Sequence, residues 1–168
     1  MQQYDPDIFI SYLHCVYRDV VPRPNQWSDE ADAKRAMNAT NRDTDSGNEY
    51  YRYLVRLYII ADSLRDPTTA NLVIDETRRF SYVACLPGLL VIKLAFRHTM
   101  PGDGLRKVLA DVYVFRGSNI SDEHCPRAFL MLVIGRSMTM RKKNKDVGQQ
   151  TGEIDGDGED DDEDEDPE

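Results

Sequence analysis

Two His-Cys neighbours, His14-Cys15 and His124-Cys125, are the residues best suited by type to chemistry, with Cys85 and His98 as the remaining thiol and imidazole. Thiolate and imidazole together hold zinc or form an activated nucleophile. Zinc sites draw on ligand pairs a few residues apart, and adjacent ligands are an awkward start. A Cys–His nucleophilic couple meets in space and not in sequence, so residue order leaves it open. Cys15 follows the apolar face of a helix, and a packed thiol is the expectation there. The count of 3 cysteines is odd and no two lie close together. Reduced thiols of an intracellular protein fit that pattern.

Other motifs reach chemistry only in part. Met100-Pro-Gly-Asp-Gly104 holds two glycines but lacks the Lys-Ser/Thr ending and the preceding strand of a phosphate-cradling loop. A helix N-cap at Asp103 accounts for it. Asp75-Glu76 reads as a solvated pair balanced by Arg78 and Arg79. Asp155-x-Asp157-x-Glu159 echoes a calcium loop, but Asp160 stands where the turn needs Gly. Arg141 to Lys145 is a basic knot, either a nuclear-import or phosphate-binding patch or a solvated helix end. No catalytic, cofactor-binding or metal-binding residue emerges, no cofactor is implied, and the expectation is a protein that is not an enzyme. Partner-binding residues stay unassigned.

The formal net charge of -9 conceals two regions of opposite sign. Twelve of the 30 acidic residues lie between Glu153 and Glu168, where there is no Lys or Arg. Without them the body carries 18 acids against 21 bases. An acidic ribbon repels itself and has almost nothing apolar to bury, so disorder is expected for it. It suits basic partners such as histones. No N-terminal signal is visible, and the apolar runs Leu86 to Phe96 and Phe129 to Ile134 are too short to cross a bilayer. Asn38-Ala-Thr40 and Asn119-Ile-Ser121 match the glycosylation pattern, which has no consequence without secretion. No fixed repeat appears.

The elements that must position these residues are helices. Asp5-Pro6 starts the first, with an apolar stripe of Phe9, Tyr12, Leu13, Val16 and Tyr17. Val20-Val21 reads as a brief strand ended by Pro22 and Pro24. Residues 22–49 are polar and read as a mobile insertion with one short helix from Ser28 to Met37. Trp27 either pins this loop to the body or contacts a partner. From Tyr50 to Phe80 two amphipathic helices meet at Asp66-Pro67. Leu54, Leu57, Tyr58, Ala61 and Leu64 line the first, while Ala70, Val73, Ile74, Thr77 and Phe80 line the second. Asp66 can cap the second helix, and Pro67 fits its first position. Stripes joined this tightly must fold on each other or on a shared third layer. Leu86 to Phe96 is apolar nearly all round, so burial is expected. Leu105 to Phe115 carries Leu105, Val108, Leu109, Val112 and Tyr113. Pro126 to Thr139 carries Phe129, Leu132, Val133 and Arg136.

The run LVRLYIIADSLRDPTTANLVIDE resembles the paired helices in the second half of the BTB/POZ domain, especially in fungal proteins. DPDIFISYLHCVYRDVV, Asp5 to Val21, resembles the helix and short strand before that pair. LLVIKLAFRHTMPGDGLRKVLADVYVFRG resembles the helical extension that often follows the domain. The resemblance covers about residues 5–21 and 50–135 and rests on apolar spacing plus Asp-Pro and Tyr-x-x-Ala-Asp. It implies a mainly α chain, the C-terminal helical portion of an α+β domain with a helical extension and a disordered acidic tail. Residues 1–140 form the partial domain, and 141–168 hold the basic knot and tail.

The family's N-terminal strands and helices have no counterpart in this chain, so the resemblance implies a truncated domain. Tyr12, Leu13 and Tyr17 would then lose part of the layer they pack on. Repacking with the C-terminal helices, self-association and an incomplete gene model are the three outcomes open. Fuller relatives act as interaction modules, some as adaptors of cullin-based ubiquitin ligases. The loop before the first helix belongs to that ligase contact and is missing, so no cullin-contact residue carries over. The expected function is protein–protein interaction in the nucleus or cytoplasm. Its partners would be other proteins, the chain itself included, with no membrane or direct nucleic-acid contact. The alternative is a nuclear acidic-tail protein that binds histones or other basic partners.

Overall fold

The computed structural model describes residues 5–23, 45–83, 86–116 and 125–150. Six helices run through them: α1 (Pro6–Arg18), α2 (Asp45–Ser63), α3 (Pro67–Val83), α4 (Leu89–His98), α5 (Gly104–Phe115) and α6 (Arg127–Gln150). Among the described residues there is no strand. Val20-Val21 is therefore not a strand. Asp19 ends α1 in the left-handed region at φ 52°, and its N–H bonds the Cys15 carbonyl. That turns the chain away before an extended segment can pair.

The core is built around α2. Tyr50, Tyr51, Leu54, Val55, Leu57, Tyr58, Ile60 and Ala61 are all buried, a wider set than the single stripe the spacing gives. The neighbours explain the width: α2 packs against α1, α3 and α4. Leu64, by contrast, lies past the last turn and is exposed. The helix also begins earlier than its apolar pattern, at Asp45, so residues 45–49 are helical and not part of a loop. Asn48 gives the reason for that extra turn. Its Oδ1 accepts from the Gly88 N–H at 2.7 Å, tying the start of α2 to the start of α4.

The α2–α3 corner closes as its sequence suggests. The N–H of Asp66 bonds the Ala61 carbonyl and that of Arg65 bonds the Asp62 carbonyl. This pair of bonds is the Schellman ending of a helix, with Arg65 at φ 55° where glycine is usual. Across the corner Val73, Thr77 and Phe80 of α3 are buried. Phe80 meets Tyr50 and Tyr51 edge-on at 4.7 and 5.0 Å between ring centres, a geometry that aligns ring edges with ring faces.

A second layer of α4, α5 and α6 covers the other side. Helix α4 buries Val91, Ile92 and Ala95. Leu90 is exposed and Leu94 half-buried, so α4 is not enclosed all round. It starts at Leu89, so Pro87 precedes it, and the Pro87 carbonyl accepts from the Tyr113 hydroxyl. Helix α5 buries Leu105, Val108, Leu109 and Val112, as their spacing requires. Phe129 of α6 fits between Phe96 and Tyr113 at 5.6 and 5.1 Å. Helix α6 continues past Thr139 to Gln150 and so runs through Arg141 to Lys145. Among the described residues no helix is long and apolar enough to cross a membrane.

Candidate docking face

Helix α1 is held on the α2–α3 corner by a narrow stripe. Ile8 and Cys15 are buried and Tyr12 is half-buried between them. These three sit at i, i+4 and i+7 and so share one face. Of the expected stripe only Tyr12 turns inward; Phe9, Leu13, Val16 and Tyr17 face outward, with exposures of 41%, 36%, 44% and 83%. Helix α1 carries two overlapping apolar stripes, and spacing alone does not say which is covered. Two features choose. Cys15 is small enough for the backbone of α1 to come close, and the Tyr12 hydroxyl donates to Asp66 at 3.2 Å.

Asp66 is the node of this corner. Its Oδ1 accepts from the amides of Thr68 and Thr69, both at 3.1 Å, and its Oδ2 from the Thr69 hydroxyl at 2.7 Å. The Thr69 hydroxyl, followed by the amides and the Tyr12 hydroxyl, holds the Asp66 carboxyl below its ordinary range, against a smaller opposing effect of burial. Burial, then the hydrogen bond to Asp66, raises the Tyr12 phenol. Burial, then the Asp66 charge, pushes the Cys15 thiol up to about 11. A thiol held protonated in this way is a poor nucleophile and metal ligand.

The chain after α1 is fastened by groups that sequence reading missed. The Tyr53 hydroxyl donates to the Pro22 carbonyl at 2.9 Å. Arg23 donates to Glu76 through Nε at 3.1 Å, Tyr50 donates to the same carboxylate at 2.8 Å, and Arg79 at 2.9 Å. Asp75 is solvated and pairs with Arg78, as expected. Glu76 is not solvated: its side chain is only 12% exposed and joins three elements. An acid at the same helical face as Val73 and Phe80 was the available signal. Arg106 was also missed. It is buried, donates to the Thr99 hydroxyl at 2.9 Å and to the Phe96 carbonyl at 2.7 Å, and lies 4.5 Å over the Phe96 ring. A cation there closes the carbonyl end of α4.

The residues first singled out for chemistry do not converge. His14 is exposed while Cys15 faces inward, so the helix separates this pair. His98 is exposed at the end of α4, and Cys125 is half-buried. Asp103 caps α5 through a 2.8 Å bond from the Leu105 N–H, as expected, and also accepts from Tyr58 at 2.8 Å. Among the described residues no group of three His, Cys, Asp or Glu side chains gathers. Trp27, Asn38, Cys85, Asn119, His124 and the acidic run 153–168 lie outside the described residues. So do the side chains of the basic knot beyond Arg141, which is itself exposed.

Among the described residues exposed apolar side chains gather in several places, Met131, Ile134 and Met138 of α6 among them. One is a cleft of about 160 Å³ between Tyr82, Val112, Phe115 and Met140. Tyr82 and Phe115 cover each other there, edge-on at 5.9 Å. Another is the α1 face, where Phe9 stacks on Tyr12 at 6.0 Å and Leu13, Val16 and Tyr17 stay exposed. A contiguous apolar helix face of this kind marks an interaction surface more often than a catalytic one. No protein-family model, curated protein or solved structure matches this chain.

Proposed function

We propose that this chain is a protein–protein docking module that presents the outer face of α1 to its partner. The observation that carries this reading is the outward orientation of Phe9, Leu13, Val16 and Tyr17 on a helix anchored from behind. Burying a large apolar side chain releases about 1.5–3 kcal/mol, so a cluster of four is a strong potential contact. The tight Asp66-Pro67 corner supports kinship with the paired helices of BTB/POZ-type domains, and adaptor work is the corresponding role. The free, buried thiol of Cys15 supports a reducing compartment, nucleus or cytoplasm.

The test places a photocrosslinking amino acid at position 17 of the full chain and, as a control, at the exposed Lys107. Protein adducts of defined mass at position 17, absent at 107 and lost with Leu13→Glu, are expected. Equal labelling at both positions, or none at 17, overturns the reading.

A second reading rests on the sequence of the tail. Twelve acids without one base between Glu153 and Glu168 suit a basic partner such as a histone. Binding of histones should then weaken on removal of 153–168 and on raising salt. Indifference to both contradicts it.

A further inference from the structure

We propose that the cleft between α3, α5 and α6 binds single-stranded nucleic acid, with one base in the cleft and the neighbouring phosphates on Arg78 and Arg116. The site is separate from the α1 face and goes beyond the docking reading.

The place for a ring comes first. Val108 and Val112 of α5 are buried and form the floor of the cleft. Tyr82 of α3, Phe115 of α5 and Met140 of α6 form its walls. Tyr82 and Phe115 meet edge-on at 5.9 Å yet stay 60% and 67% exposed, so each keeps ring surface open to a ligand. The volume is about 160 Å³, and a cavity of about 150 Å³ holds benzene. A cleft of that size takes one flat ring. Exposed aromatic side chains stack on bases of any sequence, which is how single strands are held. Periodicity carried no sign of this cleft, because its walls come from three helices.

Charge then selects among flat rings. Arg78 and Arg116 line the same cleft. Arg78 pairs with Asp75 at 3.0 Å, but the two side chains are 51% and 71% exposed, and an exposed pair of this kind yields readily to a phosphate. Among the described residues Asp111 is the one acid in the lining, and Arg136 already donates to its carboxylate at 2.9 Å. Beyond Met140, α6 continues through Arg141 and residues 142–145, three of which are lysine. Cations thus begin at the rim and follow the helix away from it. An uncharged ring would use none of them and a single nucleotide only those at the rim. A strand uses both. The twelve acids of 153–168 oppose phosphate binding, so the affinity expected is modest.

Fluorescence anisotropy of the full chain with a labelled oligouridine of about ten nucleotides tests this. An abasic strand of equal length and uridine monophosphate serve as comparisons. Oligouridine should bind with a Kd of about 10–100 μM in about 50 mM salt. The abasic strand and the mononucleotide should bind at least about tenfold more weakly. Tyr82→Ala and Phe115→Ala should each weaken oligouridine about tenfold and leave the abasic strand unaffected. Where an alanine variant loses helical signal, Tyr82→Leu and Phe115→Leu keep an apolar cover over Val108 and Val112 while removing the ring. Arg78→Gln with Arg116→Gln should weaken both strands and flatten their salt dependence. No binding of oligouridine at about 1 mM overturns the proposal, and so does equal binding of the abasic strand. Binding indifferent to both aromatic substitutions overturns it too, since the strand would then rest on charge alone. Uridine monophosphate binding as tightly as the strand overturns the strand as ligand. None of these outcomes bears on the α1 face, which crosslinking at position 17 tests by itself.

Discussion

Tyr12 and Asp66 are 54 residues apart in sequence, and a 3.2 Å hydrogen bond joins the phenol of one to the carboxylate of the other. The same carboxylate starts α3 by accepting from Thr68 and Thr69. One side chain thus ends the α2–α3 turn, begins a helix and seats α1. Whatever orients α1 orients its outer face, so the candidate docking surface depends on a residue that is not part of it.

Asp66→Ala should therefore cost about 1–2 kcal/mol near neutral pH, the usual cost of a lost N-cap. The pH dependence has a definite sign. The folded carboxyl sits below its ordinary value of 3.8, so its stabilising contribution is complete above that value and is lost as pH falls through the lower, folded one. Urea denaturation of wild type and Asp66→Ala should differ at pH 7 and converge below about pH 3.8. A difference that persists undiminished in acid would show that the charge of Asp66 contributes nothing.

Much of this architecture was legible because local chemistry and packing agree. Asp5-Pro6, Asp66-Pro67 and Asp103 all start helices where a capping carboxylate precedes an apolar stripe. The stripe of α5 had a single reading, and it holds. On α1 the stripe Phe9, Tyr12, Leu13, Val16 and Tyr17 shares only Tyr12 with the set that is seated, Ile8, Tyr12 and Cys15. The corner accepts the narrower set. Asn48, Glu76 and Arg106 were missed for a common reason: each is a polar residue whose partner lies in another element, and periodicity carries no information about that.

Asn48 and Gly88 supply a direct test of such a long-range tie. At φ −70° Gly88 needs no special backbone freedom. It is needed for space: a Cβ there would lie 2.7 Å from the Asn48 Oδ1 that the Gly88 N–H bonds. Gly88→Ala should push the amide side chain away and cost about 1–2 kcal/mol, combining a lost hydrogen bond with a poorer N-cap. Asn48→Ala should cost about as much, and the double substitution little more than either alone. Fully additive losses would show that the two residues act separately.

Arg106 should be replaceable by no other residue at small cost. Its guanidinium bonds the carbonyls of Phe96 and Thr99 and the Thr99 hydroxyl while lying on the Phe96 ring. Arg106→Met keeps much of the volume but leaves those carbonyls unsatisfied, at about 2–3 kcal/mol. Arg106→Lys keeps the charge without the planar fork and should recover less than half of that loss. Thermal denaturation of both variants measures it. A lysine variant as stable as wild type would mean that charge at the end of α4 suffices.

Cys15 reports whether α1 is seated at all. Its side chain is fully buried and its thiol is raised from 9.0 to about 11, by burial first and by the Asp66 charge second. At pH 8 the raised value alone lowers the thiolate population about a hundredfold, before any barrier to access. Iodoacetamide should therefore leave Cys15 unmodified in the native protein and alkylate it readily in urea, as read by peptide mass spectrometry. The linkage runs opposite to that of Asp66. An acid held neutral in the fold ionises first in the unfolded chain, so stability should fall as pH rises above 9 toward about 11. Cys15→Ser should remove that slope while lowering stability throughout, because a hydroxyl replaces a packed thiol. Native alkylation of Cys15 at the rate of a free thiol would mean that α1 leaves the corner readily. Its outer residues would then be one side of a helix that opens, and not a fixed face for a partner.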